Sequence, residues 1–332
     1  MRKPDWLFIP LIFTFGCMLQ NCIHEYPVPV PNSGVGEDPT IVDGYIELNY
    51  DLSWEKFLHN IEFSTKASKI DTHRFTVEVT DKDQTIIHDV EYISNEEFAT
   101  GRFRRKLSIP LKASQYKIAA WYDRIDDTGN PYFNASDLKN ITILNASTVD
   151  TLAFHCAFST DTLDFRGYAG KINSLKVVKE LEMQLPGARF QIVATDVQDF
   201  ITEQKEALNQ GDKFTVHLNL SSGAFNGFHA FDNYVSYSGG GYELEGRLRL
   251  PFAEYDEITI AQGFVFCQDE DELTMSISVK NPALSTVSKT DFFSIPIKRG
   301  YITVVKGDFL IHPVDGIFNI NTIWAGEIIY EI

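Results

Sequence analysis

The residue of this chain best suited to a chemical modification is a cysteine near the N-terminus. Cys22 follows an apolar run, Trp6–Leu19, which itself follows a short basic start. The run is shorter than the ~20 residues that a membrane-spanning helix needs, and its layout is typical of a secretory signal. A cysteine directly after such a run indicates a lipoprotein, in which the lipidated cysteine becomes the first residue. The sequence therefore predicts a signal peptide over residues 1–21 and attachment to a membrane through Cys22.

A second cysteine competes for the lipid. Gly16 directly precedes Cys17 and suits a peptidase that needs a small residue before the cut. Leu19, three residues before Cys22, is the better anchor for the lipoprotein peptidase. The residues after Cys17 are still apolar, whereas those after Cys22 become polar within two positions, so Cys22 is the preferred site.

Catalytic and metal-binding patterns do not stand out. The eight histidines are dispersed, and none pairs with another at the spacing of metal ligands. The sequence has no G-x-S-x-G, P-loop or H-E-x-x-H pattern. The acidic run Asp269–Glu272 lacks the spaced oxygen ligands and the glycine of a calcium loop, and we interpret it as a solvated turn. The chain is predicted not to be an enzyme and to hold no metal or cofactor.

Two cysteines lie in the body of the chain, each within an apolar run. Cys156 and Cys267 are either bridged, as an exported protein allows, or buried as free thiols. A bridge between distant core strands needs close, well-aimed Cβ atoms, and this favours the free thiols.

The charge of the chain limits the classes of partner that it can bind. A net charge of −17 repels phosphate backbones and argues against nucleic-acid binding. Against this acidic background stands one basic cluster, formed by Arg102, Arg104, Arg105 and Lys106. We interpret it as a solvated strand edge protected by charge, with a docking patch for an acidic glycan or partner as the alternative.

The elements that carry these residues are predicted to be strands. Segments such as His73–Thr80 and Lys213–Leu220 alternate polar and apolar residues and are separated by short turns. An aromatic content of 13% also favours strands and a large core. The one good helix candidate is Asp196–Asn209, which Asp196 can cap. The pattern predicts an all-β protein with antiparallel β-sandwiches.

The chain divides into four predicted parts. A signal peptide over 1–21 precedes a lipidated tether over 22–40, in which alternating prolines favour extended chain. An N-terminal β-sandwich follows over 41–165 and a C-terminal β-sandwich over 166–332.

Several motifs in order resemble one family, the fimbrillin-like lipoproteins of Bacteroidia. Each motif alone is weak, but together they span nearly the whole mature chain. The first domain of that family has a W-x-D strand and then a Y-x-N-x-x-x-L segment, and the second begins with R-P-x-A-[RK]-[FY] and a Thr-Asp pair. The late signature is V-P-[IL]-x-R-N with G-x-F-L. The corresponding residues here are Trp121 and Asp123, Tyr132 to Leu138, Leu185 to Phe190, Thr195 and Asp196, Gly223 to Asn226 for a G-F-N segment, Ile295 to Gly300 and Gly307 to Leu310. Two positions depart from the pattern: Leu185 stands where the family usually has arginine, and Gly300 where it usually has asparagine.

The resemblance implies two tandem transthyretin-like β-sandwich domains and a role as a cell-surface fimbrial subunit, anchor or adhesin. Subunits of that family join by strand exchange after a protease that cuts after arginine removes an N-terminal segment. Its partners would be other fimbrial subunits or a surface ligand, and its lipid would tether it to the outer membrane. The alternative is a surface glycan-binding lipoprotein of a polysaccharide-uptake system. The predicted donor strand near the C-terminus includes Ile323, Trp324, Ile328 and Tyr330.

Two further expectations concern processing. Thr151 and Thr162 each stand in an Asp-Thr-Leu triplet that resembles the O-glycosylation acceptor of Bacteroidota. No arginine lies between Arg2 and Arg74, so the sequence predicts that the first strand is not removed by arginine-specific cleavage. That expectation favours an anchor, or a protein acting alone, over a stalk subunit.

Overall fold

The computed structural model describes residues 38–51, 72–82, 84–94, 102–125, 133–144, 156–168, 175–221, 227–236, 242–248, 256–311 and 321–327. Within these residues the chain is an all-β protein, as predicted. Its strands are β1 (Asp38–Asp51), β2 (Thr72–Asp81), β3 (Gln84–Ser94), β4 (Arg102–Ala113), β5 (Gln115–Ile125), β6 (Phe133–Asn134), β7 (Ile141–Ile143), β8 (Cys156–Asp164), β9 (Leu175–Glu182), β10 (Gly187–Ala194), β11 (Thr215–Leu220), β12 (Gly227–His229), β13 (Tyr234–Ser236), β14 (Tyr242–Arg247), β15 (Ile258–Phe266), β16 (Glu270–Lys280), β17 (Thr286–Lys289), β18 (Phe293–Lys298), β19 (Tyr301–Gly307) and β20 (Asn321–Glu327). The helices are α1 (Val197–Glu203), α2 (Lys205–Asn209) and a 3-10 turn at Arg166–Tyr168.

The first half of the chain forms two sheets. One has the order β4-β1-β9, in which β1 pairs antiparallel with β4 and parallel with β9. The other has the order β3-β2-β5-β8 and is antiparallel throughout. A core that includes Leu48, Tyr50, Phe75 and Tyr122 is formed by residues of both sheets.

The second half repeats this connectivity. β10 pairs antiparallel with β15 and parallel with β19, as β1 does with β4 and β9. The facing sheet runs β14-β11-β16, and β16 then pairs with β18 and the short β17. The two halves thus share one strand order. The second adds β20 beside β19. Likeness to transthyretin stays a prediction.

The strand order shows that the first half of the protein extends further along the chain than the sequence predicted. The sequence predicted a boundary between residues 165 and 166, with a break in the stretch from Ser159 to Ser174. Instead Ser159 lies within β8, and β9 pairs in parallel with β1 in the first-half sheet. Residues up to Leu185 contribute to the first core, because the chain returns to that sheet after the 3-10 turn.

The two halves are joined through β5. Side chains alternate along a strand, so Ile118, Ala120 and Tyr122 point into the first core. On the opposite face, Ala119 and Trp121 belong to the larger core of the second half. The central strand of the first half therefore packs on both faces, which accounts for its strongly apolar sequence.

A small sheet spans both halves. The hairpin of β6 and β7 belongs to the first half, the hairpin of β12 and β13 to the second, and β7 pairs with β12. Phe228 of β12 lies with its ring 4.7 Å from Phe158 and 6.3 Å from Trp121. Residues far apart in sequence thus seal the junction with aromatic contacts.

The predicted helix is present, but it is divided and its cap differs from expectation. It is split at Gln204 into α1 and α2. Asp196 stands at the N-cap position, yet its side chain makes no capping hydrogen bond. Its Oδ2 instead accepts hydrogen bonds from the backbone N–H groups of Leu310 and Ile311, both at 2.8 Å. The carboxylate therefore fixes the chain just beyond β19.

Candidate functional site

The predicted site residues fall in three places. Thr162 lies on β8, and Ile323 and Trp324 lie on β20. Cys22, Thr151, Ile328 and Tyr330 lie outside the described residues, as does the tether over 22–37. The candidate site that can be built is therefore the set of sheet edges available for strand addition.

The first strand fills the centre of its sheet. β1 pairs with β4 from Asp38 to Asp51 and with β9 from Gly44 to Asp51. Leu48 and Tyr50 are fully buried in the first core, and the Tyr50 ring lies 5.0 Å from that of Phe75. Removing β1 would leave a groove between β4 and β9 and strip the core of two large side chains.

The last described strand completes the second half. β20 pairs antiparallel with β19, with Val304 opposite Ile323 and Thr303 opposite Trp324. Among the described strands β20 has no other neighbour, so it forms the edge of a four-stranded sheet. An edge strand presents unpaired N–H and C=O groups to which another strand can add. The predicted donor segment thus pairs within its own chain in this structure.

Thr162 is exposed on β8. Its N–H donates a 2.6 Å hydrogen bond to Oδ1 of Asp161, whose Oδ2 lies 2.6 Å from Nζ of Lys179. Burial acts to raise the pKa of Asp161, but the hydrogen bonds from Lys179 and Thr162 outweigh it and the pKa is lowered. The hydroxyl thus lies on an ordered, accessible strand, where glycosylation stays a prediction.

Two arginines of the basic cluster form ion pairs with acids. Arg105 lies between Asp89 and Glu91 of β3, at 3.1 and 2.8 Å. Arg104 lies 3.4 Å from Glu47 and donates a 3.0 Å hydrogen bond to Asn49 on β1. These contacts fit the interpretation as a charged strand edge better than a docking patch, because Arg104 and Arg105 both have acidic partners within the fold.

The acidic run is a strand and not a turn. Glu270 to Glu272 begin β16 and face β18, with Glu270 opposite Lys298. Nζ of Lys298 lies 3.1 Å from Glu270 and 4.9 Å from the centre of the Tyr301 ring. An open depression of about 760 Å³ is lined by these residues together with Pro296. Lys298 on β18 thus balances the charge of the first of these acids, whereas Asp271 and Glu272 face Ile297 and Pro296.

The motifs of the resemblance have structural roles. Asp123 of the W-x-D strand is fully buried, and its Oδ1 accepts a 2.7 Å hydrogen bond from Nε of Arg74. Nη2 of the same arginine also bonds Asp123 and donates to the carbonyl of Phe133 at 2.9 Å. Asp196, from the Thr-Asp pair, binds the backbone of the G-x-F-L segment, as described above. These residues hold strands together and do not form a binding site.

One arginine of the late signature has a role that the sequence did not predict. Arg299 donates hydrogen bonds to the carbonyls of Cys267 and Gln268 at 2.9 and 2.5 Å, and to Oδ1 of Asn233 at 2.6 Å. Its guanidinium also lies over the ring of Phe158 in the first half. In the structure it is the first residue of the two-residue turn between β18 and β19, and in sequence only its place in the signature marked it.

The described part of the chain has neither a metal-binding cluster nor a helix suited to a membrane. No group of three or more His, Cys, Asp or Glu side chains there is arranged to hold a metal ion. None of the helices in the same part is long and apolar enough to cross a membrane. Cys156 and Cys267 are free thiols, both fully buried in the larger core.

Comparison with known proteins gives one family and several structures. The model of a family of unknown function, DUF6562, matches residues 39–332. No curated protein matches the chain. The fimbrial anchor protein Mfa2 from Porphyromonas gingivalis is similar at 11% identity over 85% of this chain and 95% of that one, with a TM-score of 0.44. A candidate cell adhesion protein from Bacteroides eggerthii is similar at 10% identity over 88% and 98%, also with 0.44.

A third similar structure is a candidate adhesin from Bacteroides ovatus. It is 12% identical over 88% of this chain and 96% of that one, with a TM-score of 0.43.

Proposed function

Because the chain belongs to the DUF6562 family, whose function is unknown, its role has to come from its own residues, and we propose that it is a cell-surface fimbrial anchor. In this proposal Cys22 carries a lipid in the outer membrane, residues 22–40 act as the tether, and the sandwiches sit at the end of a fimbria-like assembly. The same architecture also suits an adhesin that acts alone.

The observation that carries the proposal is the central position of β1. In strand exchange a stalk subunit gives up its first strand, and a neighbour's strand takes its place. Here β1 is paired on both sides and places Leu48 and Tyr50 in the core. A subunit that keeps this strand has no vacant groove in its first half, which suits an end position.

The arginine content of the N-terminal region supports the same conclusion. No arginine lies between Arg2 and Arg74, and Arg74 is itself buried in β2 and bound to Asp123. A protease that cuts after Arg74 would therefore have to separate β2 from its neighbouring strands before it reached the peptide bond that follows Arg74. Retention of the N-terminal lipid fits an anchor, because an anchor must stay attached to the membrane.

The face offered to the next subunit, in this proposal, is β20. It is the edge of its sheet among the described strands, so a neighbour can add to it by β-augmentation without displacing a core strand. Alternatively β20 can leave β19 and fill a neighbour's groove, as the donor-strand prediction states. In either case the partner contacts centre on positions 323 and 324.

The proposal assigns no reaction, metal or cofactor to the chain.

N-terminal analysis of protein recovered from cells tests the anchor position. We expect a mature chain that begins at Cys22 and retains β1. A chain that begins after Arg74 would mean a stalk subunit and would overturn the anchor proposal.

Photo-crosslinking tests the assembly face. A photoreactive amino acid at position 323 should crosslink to other surface subunits in intact cells. The matched control is position 178 on β9, where Val178 is 45% exposed at a different sheet. Equal crosslinking from both positions, or none from 323, would count against β20 as the contact.

A further inference from the structure

The outer side of the sheet formed by β14, β11, β16 and β17 is polar. Along β11, Val216 and Leu218 lie in the core, so the alternate residues Thr215 and His217 point outward. Strand pairing then fixes two rows of outward residues across one end of the sheet. They are Arg247, Thr215, Lys280 and Thr286 in the first row, and Glu245, His217, Ser278 and Lys289 in the second.

Three cations surround hydroxyl groups in these two rows. Arg247 and Lys280 lie on either side of Thr215, each one strand away, so their Cα atoms are about 10 Å apart. Lys289 lies opposite Ser278 in the second row. Because the basic side chains are longer than those of Thr215 and Ser278, the cations form a rim around a floor of hydroxyl groups.

The three cations have no carboxylate of their own. Among the described residues, the side chains of Arg247, Lys280 and Lys289 make no ion pair and no hydrogen bond. By contrast, Nζ of Lys179 lies 2.6 Å from Asp161, and Nζ of Lys306 is equally close to its acid on the neighbouring strand. On a chain with a net charge of −17, unpaired cations gathered in one place are available to an anionic ligand.

The acids near the rows leave them positive. Glu245 is the one acid among the eight residues of the two rows, against three cations. Glu243 lies one row further along and already binds Nδ1 of His217 at 2.5 Å. Nε2 of the same histidine lies 3.1 Å from Oγ1 of Thr215. The floor is thus ordered before a ligand arrives, which reduces the entropy lost on binding.

We propose that these two rows bind an anionic polysaccharide. Its carboxylate or sulfate groups pair with Arg247, Lys280 and Lys289, and its hydroxyl groups exchange hydrogen bonds with those of Thr215 and Thr286. The site involves neither β1 nor β20 and is independent of the anchor proposal. It gives the protein a ligand of its own whether it stands at the end of a fibre or acts alone.

The composition of the rows selects a sugar over other anions. They hold no large apolar side chain, whereas the centre of a protein interface is usually formed by aromatic or aliphatic anchors. Three cations neutralise few phosphates against the charge of the whole chain, and the rows offer no exposed aromatic ring on which a base could stack. A polysaccharide presents spaced anionic groups and hydroxyl groups together, which matches a cationic rim around hydroxyl side chains.

Calorimetric titration of the purified mature protein tests the ligand class. We expect binding to polygalacturonate or to dextran sulfate, with an affinity that falls as salt is added because exposed charge pairs are screened. Neutral dextran should not bind. Poly-glutamate carries carboxylates without sugar hydroxyls and should bind more weakly than the anionic polysaccharide. No binding to either anionic polysaccharide, or equal binding of poly-glutamate, would overturn the proposal.

Two substitutions test the place of binding. Arg247→Gln and Lys280→Gln should each raise the dissociation constant about threefold to fivefold, the scale of one exposed ion pair. The matched control is Lys112→Gln, which removes the same charge from an exposed position at the end of β4 in the first half and should leave the constant unchanged. Equal increases in all three variants would show that binding follows the net charge of the protein, and would overturn the site.

Discussion

The guanidinium carbon of Arg299 lies 5.5 Å from the centre of the Phe158 ring, and this contact links the two halves of the protein. Arg299 follows β18, whereas Phe158 belongs to β8 of the first half. A stacked guanidinium that also donates to three oxygens is more ordered than a lysine could be, since its planar fork fixes the donors.

Replacing Arg299 should lower the free energy of unfolding more than replacing its neighbour Lys298. Arg299→Met keeps an apolar stem but leaves the carbonyls of Cys267 and Gln268 without their donor. Hydrogen bonds from a charged group are worth about 1.5–3 kcal/mol, so we expect a loss of about 2–3 kcal/mol in the free energy of unfolding. Urea unfolding measures it. Lys298→Met, which breaks an exposed pair with Glu270, should change the value by less than about 1 kcal/mol. Equal losses would show that Arg299 is not the link.

The buried pair of Arg74 and Asp123 gives a second stability prediction. Asp123→Asn leaves a buried guanidinium without its counter-charge, and breaking a buried pair in this way costs about 3–5 kcal/mol. The control is Asp164→Asn, which breaks an ion pair with Arg166 whose two side chains are about half exposed. Thermal or urea unfolding should show a clear loss only for the first variant. Similar small losses in both variants would mean that water solvates the Arg74 guanidinium when Asp123 is replaced.

The all-β class and the core strands were accessible to sequence reasoning. Period-two alternation in His73–Thr80 and Lys213–Leu220 marked β2 and β11, which the structure has as strands with buried apolar faces. This works because a residue's burial in a sheet depends on its own position along the strand.

The parts that failed depend on neighbours distant in sequence. β9 joined the first sheet because β1, more than 120 positions earlier, offered a parallel partner. Asp196 does not cap the helix because its carboxylate accepts hydrogen bonds from the N–H groups of Leu310 and Ile311 instead. The role of Arg299 could not be predicted either, since it donates hydrogen bonds to carbonyls more than 30 positions away in the chain.

Acid should weaken the protein through Asp161. Its pKa is below the ordinary 3.8 in the folded state, because the hydrogen bonds from Lys179 and from the backbone of Thr162 outweigh partial burial. The stability from this pair is therefore fully present above about pH 4 and is lost as pH falls from there through the lowered pKa. Unfolding free energies measured from pH 5 to pH 2 should fall less steeply in Asp161→Asn than in wild type. Lys179→Met should flatten the same range, and an unchanged slope in both would count against the pair.

The two body cysteines should be unreactive in the native protein. Burial raises the pKa of Cys267 to about 12 and that of Cys156 well above its usual value, so neither forms the thiolate that an alkylating reagent attacks. Mass spectrometry after alkylation without a reductant should show no modification of either residue in the folded state. Both should be modified after denaturation. A disulfide-linked pair of peptides would contradict the free thiols.

Attachment to the membrane should depend on one cysteine. Cys22 ends the apolar run of the signal, and the polar, proline-rich segment after it suits a chain that continues outside the membrane. Cys22→Ala should move the protein from the membrane fraction to the soluble one, because a lipid is the only anchor that the prediction supplies. Cys17→Ala is the matched control and should leave the protein in the membrane fraction. If Cys22→Ala stays with the membrane and Cys17→Ala does not, the lipid is on Cys17, and the mature chain begins five residues earlier with a more apolar start.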